Sequence, residues 1–458
     1  MTKKFILFSI LLSIVLINPI ILFAEDDYTI SASDLVAESA ILIDQDTGQI
    51  LFSKNPHVPM YPASTTKILT AIIVLEDMDL TQEVTITKDM EGVDGSGIAL
   101  EAGEVLTVDQ LLHAMLMVSA NDAAEALAKT HSGTIEAFAQ VMNERAAAMG
   151  ALNSNFQNPH GLPNPDHLTT AYDLSLIAKY AMTNETFRQI VMTPRYEIPA
   201  NAVKDEARIL NHSNKFIPGV PGSSDRMDYR GGTITKGYDL ITGIKSGYTT
   251  KALHCFVGAA ELDGRRFISV IIKSQGVNMY LDTRKLLDYG LYGTTTYALY
   301  DEGETVTQRA LEDKRNTNVI LVTKTPLSVD LPASESVTDL TRQETIRDDI
   351  TLPVEKGEVL GNLAYYKGET LLCETDLIAA DTYLGEDLLT KETTFFDKEG
   401  NSFFTVKNMA FLSLKVFLAL ILWRTVMTVI RLVKLRNARV KALKERRRQL
   451  AKKRSLNS

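Results

Sequence analysis

Pro62-Ala63-Ser64-Thr65-Thr66-Lys67 opens the apolar run Ile68-Leu69-Thr70-Ala71-Ile72-Ile73-Val74-Leu75. The stretch reads as the start of a buried helix. Positions three apart share a helix face one turn apart, which puts the Ser64 hydroxyl beside the Lys67 amine. A free serine hydroxyl is a poor nucleophile at neutral pH and needs a base within hydrogen-bond reach. A desolvated lysine of lowered pKa is such a base. A nucleophile at a helix N-terminus also lies beside backbone N–H groups that can hold a developing oxyanion. The competing reading is an ordinary capped helix, with Ser64 as the cap and Lys67 in solvent.

Two further stretches decide between these readings. Ser119-Ala120-Asn121 follows the apolar run Leu111 to Val118, and Lys245-Ser246-Gly247 closes a short strand-like run, Leu240 to Ile244. Serine-x-x-lysine, serine-x-asparagine and lysine-threonine-glycine, in this order, are shared by penicillin-binding proteins and serine β-lactamases. The flanks Tyr61-Pro62-Ala63-Ser64-Thr65-Thr66-Lys67-Ile68-Leu69-Thr70, Ser119-Ala120-Asn121-Asp122-Ala123-Ala124 and Gly243-Ile244-Lys245-Ser246-Gly247-Tyr248-Thr249 narrow the likeness. They resemble the low-molecular-mass penicillin-binding proteins of the D-alanyl-D-alanine carboxypeptidase family. The resemblance is close from about Ser39 to Gly290 and looser to about Glu386. Ser246 departs from it, since the family usually has threonine there. The hydroxyl is kept and a methyl is lost.

The resemblance implies a serine-type D-alanyl-D-alanine carboxypeptidase acting on peptidoglycan stem peptides and acylated by β-lactams. Its catalytic residues would be Ser64 as nucleophile, Lys67 as base and Ser119 as proton relay. Asn121, Lys245, Ser246, Gly247 and Tyr248 would bind substrate, with the Ser64 and Tyr248 N–H groups as oxyanion hole. No metal or organic cofactor is implied. The alternatives are a serine β-lactamase, a transpeptidase and a non-catalytic penicillin-sensing membrane protein. A class A β-lactamase uses a glutamate to activate the deacylating water, whereas Asn158 to Leu168 offers only Asp166. A sensor would need a sizeable cytoplasmic output domain, and the tail here is short.

The chain has 458 residues, 45% hydrophobic and 23% charged, which is globular and long enough for two or three domains. Cys255 and Cys373 lie far apart, and neither a disulfide framework nor zinc spacing is present. The histidines show no paired ligand pattern. Lys3-Lys4 and the apolar run Phe5 to Phe23, ending at Ala24, form an export signal with cleavage expected after Ala24. An uncleaved anchor is the alternative.

Ser39 to Asp44 and Gln49 to Ser53 flank Gln45-Asp46-Thr47-Gly48 as a hairpin, and Leu253 to Glu261 and Arg266 to Lys273 flank Asp263-Gly264 as another. With the strand before Lys245 they predict a five-stranded antiparallel sheet assembled from both ends of one domain. Helix-rich sequence lies between, at 108–118, 123–129, 135–149 and 171–180. The fold class is α+β, resembling the β-lactamase/transpeptidase-like domain with flanking helices and a helical insert. His160 and His167, in the turn-rich loop 158–168, read as loop histidines bonded to backbone. Asn211 to Lys215 is given a structural or positioning role.

The domain reading is a signal over 1–24, the catalytic domain over 25–295 and a small β-sandwich-like all-β domain over 296–390. A linker over 391–408, a membrane helix over 409–433 and a basic cytoplasmic tail over 434–458 follow. In the all-β domain, Val319 to Lys324, Leu327 to Leu331 and Val359 to Tyr366 look like strands. Lys415 and Arg424, nine apart, fall on opposite faces of the apolar helix, which favours spanning over an interfacial helix. Arg431 to Ser458 carries twelve Lys/Arg against one acid, a net +11, while the whole chain is −9. No aromatic residues are interleaved in the tail, so nucleic acid is not the expected partner. A basic flank after an apolar helix places the tail inside and the catalytic domain on the extracytoplasmic face.

A chain cut near Asn401 is therefore expected to be soluble and to keep the Ser64 chemistry. In intact, wall-stripped cells, external protease is expected to spare a C-terminal tag. Digestion of that tag would overturn the spanning reading.

Overall fold

The computed structural model describes residues 28–311 and 317–384. The signal, the end of the all-β domain at 385–390, the linker, the apolar helix and the basic tail of the sequence reading lie outside these residues. Among the described residues no helix is long and apolar enough to cross a membrane.

The chain opens on the hairpin β1 (Ser39–Asp44) and β2 (Ile50–Lys54). A 3-10 turn, Ala63–Thr66, then leads into α1 (Lys67–Asp77). The expected helix start is thus a tighter turn carrying Ser64, with regular α-helix beginning at Lys67. The two-stranded β3 (Glu83–Thr85) and β4 (Val105–Thr107) precede α2 (Val108–Met117), α3 (Asn121–Ser132) and α4 (Ile135–Ala148). Thr107 and Gln110 form a capping box at the start of α2. Helices α5 (Ala171–Ala181) and α6 (Glu185–Met192) follow, then the short pairs β5 (Arg195–Ile198) with β6 (Arg208–Asn211) and β7 (Arg226–Tyr229) with β8 (Gly232–Thr235). The chain returns to the sheet through β9 (Ile241–Thr249), β10 (Leu253–Leu262) and β11 (Arg265–Ser274), and α7 (Asn278–Gly293) closes the domain.

The central sheet has the order β2-β1-β11-β10-β9 and is antiparallel throughout. This is the expected five-stranded sheet, assembled from both ends of one domain. Asp263 and Gly264 both have positive φ, as a two-residue hairpin loop of the right twist requires. Alternate residues serve two cores. Ile41, Ile43, Val257, Ile268 and Val270 pack with α1 to α6, while Leu42, Phe256, Phe267 and Ile271 pack with α7. Burial on both faces explains why β1, β10 and β11 read as continuous apolar runs. Helix α1 is buried from Lys67 to Val74, so it has no polar face.

Two differences from the sequence reading bear on the site. Lys245-Ser246-Gly247 does not close its strand, because β9 runs on to Thr249 and pairs with β10 as far as Leu253. Helices α6 and α7, missing from the sequence reading, pack on β9 and on β10–β11 respectively.

The second domain contains β12 (Thr294–Tyr300), β13 (Thr305–Ala310), β14 (Asn318–Thr323), β15 (Leu327–Pro332), β16 (Thr341–Ile346), β17 (Val359–Lys367) and β18 (Thr370–Ala379). β12 pairs with β15, and the others form a five-stranded sheet of order β13-β14-β18-β17-β16. An all-β domain is observed, starting at Thr294. Cys255 and Cys373 are both free and buried.

Two side chains tie this domain to the first. The Gln49 amide exchanges a pair of hydrogen bonds with the Asp330 backbone, at 2.6 and 2.8 Å. Arg265 donates to the Gly290 and Leu291 carbonyls, to Thr294 and Thr296, and to the buried Asp330 carboxylate at 3.2 Å. Removing one partner of a buried ion pair strands the other. Arg265→Ala is expected to lower stability by about 2–4 kcal/mol in denaturant unfolding, with the rate of β-lactam acylation unchanged.

Candidate active site

Ser64 sits where the 3-10 turn meets α1, and Lys67 is the first α-helical residue. Their Oγ and Nζ atoms are 3.0 Å apart. The Lys67 amine donates to Asn121 Oδ1 at 2.6 Å and to the His160 carbonyl at 2.8 Å. A neutral amine has two hydrogens and one lone pair. With both hydrogens engaged, the lone pair is left for the Ser64 hydroxyl, which is the arrangement of a base and its nucleophile.

Lys67 has no exposed surface. Burial, reinforced by the nearby Lys245 charge, holds its pKa well below the ordinary lysine value, with Asp122 acting in the opposite direction. Lys245, also buried, is brought down by burial to about 7. Its amine donates to the Ser246 carbonyl at 2.9 Å.

Helices α2 and α3 bring in Ser119 and Asn121. Ser119 occupies the bend between them in the left-handed region, at φ 63°. Among the described residues its hydroxyl makes no hydrogen bond. The Asn121 amide is engaged at both ends, its oxygen by Lys67 and its nitrogen by the Asp94 carbonyl at 2.6 Å. One amide hydrogen is left for a substrate. Ser246 is half-buried, Gly247 buried and Tyr248 57% exposed, so Tyr248 forms part of the rim.

Glycines set the closest approaches. A Cβ at Gly247 would lie 2.7 Å from the Ser64 nitrogen, so β9 runs directly past the N–H of the nucleophile. A Cβ at Gly161, whose φ is +86°, would lie 1.8 Å from the Ala63 carbonyl oxygen. A cavity of about 320 Å³ opens above these contacts, lined by Ser64, Asn121, Tyr248, Thr249, Gly95, Ser96, His160, Gly161 and Leu162.

Thr249 and the last five were not assigned to the site from sequence. The Gly95-Ser96-Gly97 turn and Pro159-His160-Gly161 carry the usual signal of a tight loop, but nothing in them places the loop at Ser64. The His160 contribution is a backbone carbonyl, which has no side-chain signature. His160 Nδ1 and His167 Nδ1 accept from the Leu162 and Gln157 N–H groups, so both histidines are bonded to backbone as expected. Burial holds the His160 pKa down and that of His167 at about 3. His212 in the Asn211–Lys215 stretch is likewise buried and held at about 3, and the Ser213 N–H anchors this stretch to the Met117 carbonyl at the end of α2. Asp166 is exposed and does not line the cavity. Among the described residues no cluster of His, Cys, Asp and Glu could hold a metal ion.

Two predictions follow from this geometry. Gly247→Ala is expected to lower kcat/KM by at least about tenfold, because the methyl must displace Ser64 or β9. Lys245→Met is expected to raise Tm by a few degrees near pH 6, roughly 2–4 °C per kcal/mol in a domain of this size. The folded Lys245 pKa lies below the unfolded value. Wild-type stability therefore climbs between about 7 and 10.5, and the methionine advantage should shrink across that window.

Comparison with known proteins bears on the family of the chain. A family model described as D-alanyl-D-alanine carboxypeptidase matches residues 26–276. One described as penicillin-binding protein 5, C-terminal domain, matches 295–383. The chain is 30% identical over 351 residues to D-alanyl-D-alanine carboxypeptidase DacF of Bacillus subtilis, covering 75% of this chain and 85% of that one. It is 32% identical over 260 residues to DacB2 of Mycobacterium tuberculosis, covering 56% and 82%. In fold it is similar to penicillin binding protein 5 from Haemophilus influenzae, with a TM-score of 0.65 at 22% identity over 78% of this chain and 100% of that one. The chain belongs to the D-alanyl-D-alanine carboxypeptidase family.

Proposed function

We propose that this serine-type carboxypeptidase removes the terminal D-alanine from peptidoglycan stem peptides through an acyl-enzyme on Ser64. The observation that carries this reading is the buried Lys67 amine, 3.0 Å from Ser64 Oγ and held on its other sides by Asn121 Oδ1 and the His160 carbonyl. Ser64 Oγ attacks the carbonyl carbon of the penultimate D-alanine, and its proton passes to Lys67. The N–H groups of Ser64 and Tyr248 hold the oxyanion. As the C–N bond breaks, Ser119 relays the proton held by Lys67 to the leaving amine. Water then cleaves the ester. The Ser246 hydroxyl and the Lys245 amine receive the terminal carboxylate, and the free Asn121 hydrogen meets the peptide backbone.

A β-lactam presents a strained amide beside a carboxylate and acylates the same serine. With Asp166 exposed and outside the cavity lining, the loop supplies no carboxylate base, which favours slow drug release over β-lactamase turnover. The apolar stretch 409–433 and the basic tail support a membrane anchor, with this site on the extracytoplasmic face.

Ser64→Ala is expected to abolish both D-alanine release from a D-Ala-D-Ala pentapeptide, followed by mass spectrometry, and covalent labelling by a fluorescent penicillin. Persistent labelling would reject Ser64. Lys67→Arg keeps a charge but cannot give up its proton, and should cost roughly two to four powers of ten in the acylation rate. D-alanine leaves in the acylation step whichever acceptor follows, so cross-linked peptide in place of the hydrolysed, shortened peptide would assign transpeptidation instead.

A further inference from the structure

Asp122 is the next residue after the Asn121 that engages Lys67, and it has only 4% of its surface exposed. Its carboxylate accepts from the N–H groups of Ile98, at 3.0 and 3.2 Å, Leu100, at 3.2 Å, and Ala123, at 2.8 Å. Both oxygens accept from backbone donors, a pattern an amide side chain cannot copy because one end would present N–H to N–H. Among the described residues no lysine or arginine forms an ion pair with it. A buried carboxylate with only backbone partners is costly, so its charge calls for a role beyond filling space.

Its neighbours form one wall of the cavity. The Asn121 N–H donates to the Ser96 carbonyl at 2.7 Å, and the Asn121 side chain holds Asp94. A Cβ at Gly95 would lie 2.8 Å from Asn121 Nδ2, and one at Gly97 would lie 2.8 Å from Asp122 Oδ2. The Gly95-Ser96-Gly97 turn is thus pressed onto Asn121-Asp122, and Ser96 lines the same cavity as Ser64.

We infer that Asp122 is a positioning residue for acylation: its buried carboxylate carries the Gly95–Leu100 wall and supplies the negative charge against which the Lys67 base works. This rests on Lys67 being the base. The groups around Lys67 are Ser64 on its own turn, Asn121 and Asp122 on α3, His160 from the loop and Lys245 on β9. His160 is buried with its pKa held down, and Glu125 on α3 is bonded to His160 Nε2 at 3.2 Å; at Lys67 itself Asp122 is the negative charge that opposes Lys245 and burial. Asp122 keeps the Lys67 proton affinity from collapsing, so the amine can still take up the Ser64 proton. A base stripped of all proton affinity would be neutral and useless.

The test is the second-order rate of labelling of the full chain by a fluorescent penicillin, followed from about pH 5 to 9. Protonation of the coupled lysine pair sets the acid limb. Asp122→Asn removes the charge, and its acid limb is expected to move to lower pH by roughly half a unit or more. Asp122→Glu keeps the charge and disturbs the wall, so the rate should fall with the limb in its wild-type place. Gly97→Ala presses on the carboxylate without discharging it and should behave like the glutamate variant, which keeps the inference open to refutation even where the asparagine variant does not fold. An unmoved limb in Asp122→Asn, or a limb moved equally by either charge-retaining variant, overturns the role of Asp122. Near-normal labelling of Lys67→Arg overturns the base itself and this inference with it; an inert Lys67→Arg beside an unmoved Asp122→Asn limb overturns Asp122 alone.

Discussion

Two lysine amines taken out of water at one serine are the constraint to which the rest of the molecule answers. A buried ammonium is disfavoured, and a second one beside it more so. Neutral amines still need partners, and each partner comes from a different part of the chain. Asn121 comes from the start of α3, the His160 carbonyl from the loop before α5, and the Ser246 carbonyl from β9. The site therefore exists only when the sheet, the helical insert and the loop are assembled together. Its cost to stability is the counterpart of a base that is neutral enough to accept a proton.

Close contact keeps these parts in register. Gly161 fits against the Ala63 carbonyl and Gly247 against the Ser64 nitrogen, where any side chain would force the backbones apart. Ala63, at φ 49°, and Ser119, at φ 63°, hold left-handed conformations that a non-glycine residue adopts at a cost of about 1–3 kcal/mol each. Both flank or carry a residue of the site. Helix α1, buried from Lys67 to Val74, and the α2–α3 bend leave these residues no room to relax. The strain is retained because the packing around it is stronger.

Among the described residues the all-β domain contributes no side chain to the cavity. It is joined to the catalytic domain through Gln49 and Arg265, side chains of the outer hairpin and of β11 that reach the Asp330 segment. Gln49 bonds the Asp330 backbone and Arg265 pairs with the Asp330 carboxylate, so one short segment receives both links. The domain's shape is carried by its own sheet, in which Leu321, Leu363 and Leu377 are buried.

Much of this protein is legible in its residues. Turn signals at Gln45–Gly48 and Asp263-Gly264, between apolar runs of strand length, determine two hairpins, because turn chemistry and strand pairing are local. Ser64 and Lys67 are paired by helical spacing alone. The three motifs carry the family, and with it the order in which distant stretches meet. What sequence could not decide is long-range and backbone-borne. Helix α7 hides because its buried face includes Asp282, Thr283 and Asp288, which blur the apolar period. The Gly95–Leu100 wall, the His160 carbonyl and the buried charge of Asp122 have no local signature, since a main-chain acceptor is the same atom in every residue. The lowered proton affinity of Lys67 and Lys245 is also a product of assembly: any lysine is basic in an open chain, and only the closing of sheet, helix and loop around these two removes the water that would keep them charged.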